Sequence, residues 1–478
     1  MSTQRSAPPT EFGIRISKTV FLQSVLILIA MIILGGLLTQ WVPAGQYERT
    51  LVNGRETIIP GSFHLTPDYH YPVYRWLTAP FEVFSSSDGL IAIVIIAFIL
   101  LVGGSFALLD ATRSLEAVAV RLSSAFLNSK YRLIAMFTLF FMLLGAVFGI
   151  FEEVIPLIPL MVMISRRLGW NAMMGLGLSL LPTGFGFSAA IFNPFTIGIA
   201  QQLSGIPLFS GIAYRIFIFI VVYFLLLWFL IRYARRLDAE HSSQNESLST
   251  ADLQEALSDI HHVRGLGTMG IGFVLLLLMM SFFPFVGLGD YTMPIIALFF
   301  VVIAVIVAGQ NDMPLKRIVR LFGEGVLGIA PSVILIILAM SVKQVITSGG
   351  IMDTLLYELS RYTQDLSALL AGAYMYVLVF ILQFFIPSAT AKAFLVIPLL
   401  SQIGDLLGLT RQSVVLAFNF GDGFSHLLYP TNPALLIALS LASVRFSSWL
   451  RWTLGIQLVV FVLTMGFLLL AIQFGYGP

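Results

Sequence analysis

Long apolar runs separated by short polar ones make up most of the chain. Most of the runs reach the ~20 residues that carry a helix across a bilayer. Such runs cover 18–41, 89–109, 171–203, 211–231, 266–285, 291–309, 324–343, 411–444 and 451–474, and each predicts a spanning helix. Two further runs, 132–168 and 366–406, are too long for one crossing and carry polar residues near their middles. They predict re-entrant hairpins, which enter the membrane and leave by the same face. Two segments, 42–88 and 232–265, interrupt the apolar pattern at length. In the first, "QYERTLVNGRETII" alternates around Asn53-Gly54, a two-residue hairpin-turn signal that predicts a small extracytoplasmic insertion. The second is polar, serine-rich and mixed in charge, and reads as a cytoplasmic connector.

Composition turns these runs into a class. The chain is 58% hydrophobic and 10% charged, where soluble domains carry about 25% charged residues. It is an integral membrane protein. Basic residues orient it: with the N-terminus in the cytoplasm, 18 of the 26 Lys and Arg fall in cytoplasmic segments. A full crossing at 132–150 would move Arg166 and Arg167 outside, so the hairpin reading fits better. The first apolar run is longer than a signal-peptide core and no small-x-small site follows it, so it reads as a retained helix. Arg215, near the outer end of its run, reads as an interface anchor. A net charge of +2 suggests no nucleic-acid partner, and zero cysteines exclude disulfides and thiolate chemistry. The six histidines show no metal-ligand spacing, and no GxSxG or Walker sequence is present.

The two halves overlay on a shift of 239 residues without gaps: "IPLMVMISRRLG" at 158–169 falls on "IPLLSQIGDLLG" at 397–408. Between 158–194 and 397–433 ten of 37 positions are identical, where chance would supply about three. One extra span in the second half inverts its orientation. The fold expected is an all-α polytopic membrane protein of two inverted repeats, 1–231 and 266–478, each with a re-entrant hairpin and a broken helix (171–203 and 411–444). Substrate and ion sites of such carriers lie near the midplane, where broken helices meet. In "GDGFSHLLYPTNP" prolines remove N–H donors and glycines loosen the helix, which is tolerable at depth only around a protein-lined cavity.

The motifs "WVPAGQYER", "PGSFH", "FGIFEEVIPLIPL", "NPFTIGIAQ", "PSATAKAFLVIPL" and "FGDGFSHLLYPTNP" resemble the DcuC/YfcC family of inner-membrane carriers, within the ion transporter superfamily. The resemblance covers residues 41–440. It implies a homodimer with a fixed scaffold and an elevator-like transport domain, and clamps built from hairpin tips and unwound helix segments. It also implies four-carbon dicarboxylates or basic amino acids as substrates. Dicarboxylate-type relatives elsewhere in the superfamily carry Ser-Asn-Thr at both hairpin tips; here the tips read "GIFEE" and "PSATAK", which argues against a citrate- or succinate-type site.

Candidate site residues emerge from cost: ionisable groups at membrane depth are expensive and mark function. Glu152 and Glu153, at the tip of hairpin 1, can bind a cation, carry a proton or hold a substrate ammonium; the competing reading is a charge network closing the hairpin. Lys392, which the repeat places opposite Glu153, can hold a substrate carboxylate, alternate with a coupling cation, snorkel or pair with a nearby carboxylate. Asp422 is a candidate cation ligand, backed by carbonyls expected to be free at Gly421 and Gly423. His426 can bind substrate, relay protons or simply pack. Asn193 and Asn432 can bind a carboxylate or cap a half-helix. Thr183 (for the ion), Ser388, Thr390 and Thr431 are further ligands, unless their hydroxyls back-bond to their own helices. The reading is a secondary active transporter, not an enzyme and without cofactor, using Na⁺ or H⁺ or a counter-solute. An amino acid exchanged across the membrane is favoured over a four-carbon dicarboxylate. A passive channel or membrane sensor is the alternative of another class.

Overall fold

The computed structural model describes residues 18–52, 55–66, 69–86, 89–126, 129–208, 210–242, 263–282, 291–361 and 366–477. Helix α1 (Lys18–Trp41) leads into the insertion, which holds the strands found among the described residues. These are β1 (Gly45–Gln46), β2 (Arg49–Val52), β3 (Arg55–Ile58) and β4 (His64–Leu65), paired antiparallel as β1 with β4 and β2 with β3. The register Val52↔Arg55 leaves room for a two-residue turn; Asn53-Gly54 itself lies outside the described residues. Helix α2 (Tyr74–Glu82) comes next, with Arg75 on Glu82 at 2.6 Å. The insertion is tied to the second half. Asp353 accepts from the Tyr47 amide at 2.9 Å and from the Arg49 guanidinium at 2.9 and 3.0 Å, and the Thr57 hydroxyl donates to the Phe394 carbonyl at 2.7 Å.

The first half continues through α3 (Gly89–Ala111), α4 (Ser114–Ala125), α5 (Lys130–Leu143), α6 (Ile158–Arg167), α7 (Ala172–Leu178), α8 (Leu180–Ser188), α9 (Ile199–Leu203) and α10 (Ile212–Ser242). The second holds α11 (Leu266–Phe282), α12 (Thr292–Gln310), α13 (Leu315–Ile329), α14 (Pro331–Ser348), α15 (Met352–Arg361) and α16 (Ala368–Leu382). It ends with α17 (Ala389–Leu406), α18 (Arg411–Ser425), α19 (Pro433–Leu441) and α20 (Phe446–Gln473). Among the described residues, eight helical stretches are long and apolar enough to cross a membrane. The connector at 232–265 begins as a continuation of α10 through Ser242, held by an Arg236–Glu240 pair one turn apart; its residues 243–262 lie outside the described ones.

Proline chemistry explains where helices differ from the apolar runs. The run at 324–343 is two helices, α13 and α14, because Pro331 has no N–H for the Leu327 carbonyl. The run at 171–203 breaks twice, once at Ser179, where Pro182 cannot bond back to Leu178, and again at 189–193. The run at 411–444 breaks over 426–432, before Pro433 opens α19. The runs at 132–168 and 366–406 each form two helical arms, joined by non-helical residues at 149–151 and 383–388; one arm of each, Lys130–Phe148 and Ala389–Leu406, is among the eight stretches long enough to cross.

Two groups of helices emerge from the packing. In one, α1 and α2 lie on α14, and α3 lies against α12 and α13. In the other, α8 packs on α5 and α18, and α16 packs on α18 and α20. The groups meet where α19 lies on α14 and α4 lies on α6. Large apolar side chains such as Leu22, Leu26, Phe224, Trp228, Leu458 and Val462 point outward, as a lipid-facing surface requires.

Candidate substrate-binding site

The two breaks lie back to back. At Gly423 in α18 a Cβ would sit 2.4 Å from Ser188 at the end of α8, so the broken helices cross with their backbones almost touching. At that crossing the Asn419 amide donates to the Ser188 carbonyl at 2.5 Å. Both breaks release backbone groups at membrane depth, and other main-chain and side-chain groups take them up. In break 1 the N–H groups of Ile191, Phe192 and Asn193 converge on the Ala146 carbonyl at 2.8, 3.0 and 3.1 Å. The Ile191 carbonyl accepts from the Arg215 guanidinium at 3.1 and 3.2 Å. In break 2 the Leu427 carbonyl accepts from the Trp449 indole at 2.9 Å, and the His426 carbonyl from the Asn432 amide at 3.1 Å.

Each break ends on an asparagine that caps the next helical turn. Asn193 Oδ1 accepts from the Phe195 and Thr196 amides at 3.0 and 3.2 Å, and Asn432 Oδ1 accepts from Ala434 at 3.0 Å. Their positions are those the 239-residue shift superposes. The tip of hairpin 1 turns at Gly149, whose φ of +69° suits glycine and whose Cβ, were there one, would lie 2.4 Å from Asn193 Oδ1.

Charge is gathered at break 2. Lys392, fully buried in the first turns of α17, donates to Asp422 Oδ1 at 2.7 Å and to Gln383 Oε1. The second Asp422 oxygen faces His426 Nε2 at 3.5 Å, too long for a good hydrogen bond, and neither atom has another partner. With Asn432 Nδ2 donating to His426 Nδ1 at 3.0 Å, the neutral imidazole carries its proton on Nε2, towards Asp422. Phe151 and Phe187 hold the imidazole between them, at 5.2 and 5.3 Å between ring centres. Hairpin 1 therefore touches break 2 through Phe151, next to the glutamate pair. Hairpin 2 touches the turn after break 1, where Thr390 Oγ1 donates to the Phe195 carbonyl at 3.3 Å.

The glutamates stay partly exposed. Glu153 Oε2 accepts from the Phe151 amide at 3.2 Å, which braces the tip. Glu152 lines a small cavity of about 40 Å³ together with Pro433 and Ala434, the first residues of α19. The other expected ligands divide. Thr183 bonds back to the Ser179 carbonyl at 2.8 Å, and Ser388 caps α17 through the Ala391 amide at 3.3 Å. The carbonyls of Gly421 and Gly423, expected to be free, accept from Ser425 Oγ at 2.6 Å and from the His426 amide at 3.2 Å. Thr431 Oγ1 is buried and unpartnered, as are Asn193 Nδ2, Thr196 Oγ1 and Asn419 Oδ1. Each such group costs about 1–3 kcal/mol when left without a hydrogen bond.

Sequence reasoning misplaced Arg215 and overlooked Gln383 and Asn419. Arg215 is not an interface anchor: it is 2% exposed, and besides Ile191 its guanidinium reaches the Ser210 carbonyl at 2.6 Å. No local signal marked this, since Arg215 lies in the first turn of α10, where a snorkelling interface anchor would also sit. Gln383 interrupts "YVLVFILQFFIP", and Asn419 interrupts "VVLAFNFG"; each is a lone amide in an apolar run.

Known proteins place the chain. The YfcC protein of Escherichia coli K12, described as a putative basic amino acid antiporter, is 27% identical over 90% of this chain and 92% of its own length. An uncharacterised protein of Haemophilus influenzae is 24% identical over 87% of this chain and 81% of its own. Among solved structures, the YdaH transporter of Alcanivorax borkumensis is 16% identical, covering 95% of this chain and 100% of that one, with a TM-score of 0.44, too distant a likeness to carry an argument. The family model described as C4-dicarboxylate anaerobic carrier matches residues 21–474. This membrane protein therefore belongs to the DcuC family of carriers.

Proposed function

We propose that the chain is a secondary active carrier of the bacterial inner membrane that exchanges amino acids, basic ones preferred, by elevator-type alternating access. The charge balance at the hairpin tips carries this reading. Lys392 is sealed onto Asp422, while Glu152 and Glu153 remain partly exposed, so the accessible charge is negative. Two like charges at 4 Å repel by about 4 kcal/mol at an effective dielectric of 20; such a tip disfavours a dianion and favours an ammonium or guanidinium. The substrate carboxylate then falls to the unpartnered Asn193 Nδ2 and Thr431 Oγ1 and to the positive N-terminal end of α19. The description of the Escherichia coli relative points the same way.

In this reading α5–α10 and α16–α20, with the two re-entrant hairpins and both breaks, form the moving body. α1–α3 and α11–α14 form the scaffold and the homodimer contact, and the N-terminus is cytoplasmic. Exchange against a second solute, or a proton on the glutamate pair, supplies the driving force. A C4-dicarboxylate carrier coupled to Na⁺ or H⁺ is the second reading; the family description and two asparagine-capped half-helices favour it.

Exchange by the purified protein in liposomes tests the choice. Labelled arginine, lysine or ornithine should enter vesicles loaded with the same amino acids. Glu152→Gln and Glu153→Gln should each slow entry about tenfold or more, the scale of one charge-assisted contact, with thermal stability unchanged. Entry of succinate or fumarate alone, strengthened by Na⁺, would establish the second reading instead.

A further inference from the structure

We infer that Lys392 serves as a tethered cation: its ammonium occupies the place where a coupling Na⁺ would otherwise sit, so this carrier works without Na⁺. The inference rests on the carrier reading above and adds the identity of the charge that neutralises its second half.

A carboxylate and an amide oxygen converge at Asp422 and Gln383 beside a helix break. Hard oxygen donors of that kind suit a small cation stripped of its water. Here the protein supplies the cation itself. Lys392 is fully buried, donates to Asp422 Oδ1 at 2.7 Å and also donates to Gln383 Oε1. The Gln383 amide in turn donates to the Pro387 carbonyl at 3.3 Å, which fixes the direction of its oxygen.

Break 1 shows the same device by other means. Its Ile191 carbonyl accepts from the buried guanidinium of Arg215, which also holds the Ser210 carbonyl. The shift that superposes the halves places Lys392 on Glu153 and Asp422 on Thr183, so the lysine–aspartate pair has no copy in the first half. Both breaks thus carry a protein-borne positive charge, set there from different elements.

A tethered ion cannot be released on the far side of the membrane. It balances Asp422 in every state of the carrier and draws no energy from a Na⁺ gradient. Substrate alone then distinguishes the loaded carrier from the empty one, as exchange requires.

The test compares thermal unfolding of the purified full chain in NaCl and in choline chloride at equal ionic strength. The wild type should unfold at the same temperature in both. Lys392→Ala, which opens the position while leaving Asp422, should gain a saturable stabilisation by Na⁺ that the double variant Lys392→Ala/Asp422→Asn lacks. A saturable Na⁺-specific stabilisation of the wild type would overturn the inference, as would a folded Lys392→Ala protein indifferent to Na⁺. Should Lys392→Ala fail to fold, the wild type decides: arginine or succinate exchange in liposomes should change less than twofold when choline replaces Na⁺, and a tenfold loss would refute the tethered cation. Vesicles that exchange neither solute, with the unfolding pattern as expected, would sink the carrier reading and leave the Lys392 assignment standing.

Discussion

At the scale of the residue, the decisive feature is that Lys392 and Asp422 pair at zero exposure through one carboxylate oxygen. Burying two charges is tolerable only when each has the other and further hydrogen bonds. Removing one partner strands the other, which in buried pairs costs about 3–5 kcal/mol. Lys392→Met and Asp422→Asn should therefore each lower the unfolding midpoint strongly. The double variant should recover most of the loss, because it leaves no uncompensated charge. Thermal unfolding of all four proteins checks this, and additive losses would show that the two groups do not interact. The positions of both charges stood out in the sequence, as ionisable residues in apolar runs. That Lys392 can pair with a nearby carboxylate was legible too; that the carboxylate is Asp422 was not, because 30 residues separate them and nothing local links 383–388 to the following helix.

Among elements, the breaks were legible because proline and glycine act locally. Pro194 and Pro433 start new helical turns wherever the chain goes, and Asn193 and Asn432 cap them through their own neighbours. The split of 315–348 at Pro331 has the same cause, although the charged face of α13 hid its length from the apolar pattern. What hydropathy could not give is which helices share a body. Leu28 of α1, Leu335 and Ala339 of α14 and Leu436 of α19 form one buried cluster, which joins the proposed scaffold to the proposed moving group. If that seam slides, a cross-link there stops it. Ala339→Cys with Leu436→Cys should form a disulfide on oxidation, since the chain has no other cysteine. Exchange should then fall at least tenfold and return on reduction. Unchanged exchange in the cross-linked protein would rule out sliding at this seam.

For the whole molecule, orientation is the consequence of charge bias. Excess Lys and Arg in the segments assigned to the cytoplasm, at about 1 kcal/mol per charge near an anionic leaflet, favour the N-terminus inside. A cysteine at Leu65 in the insertion should react with an impermeant maleimide in intact cells, and one at Glu240, near the end of α10, only after permeabilisation. The reverse pattern would invert the topology and place the insertion in the cytoplasm. By itself the sequence determined the helices, the breaks within them and the polar residues stranded in apolar surroundings, because hydropathy and missing N–H groups are properties of a few neighbouring residues. Only the tertiary structure decided which stranded groups are consumed and which stay open. It gave Lys392 to Asp422, Arg215 to the Ile191 carbonyl and Thr183 to its own helix, and left the glutamate tip partly exposed. Along the chain every polar group inside a membrane looks alike, since each bears the same cost of leaving water; packing brings the partner that offsets it.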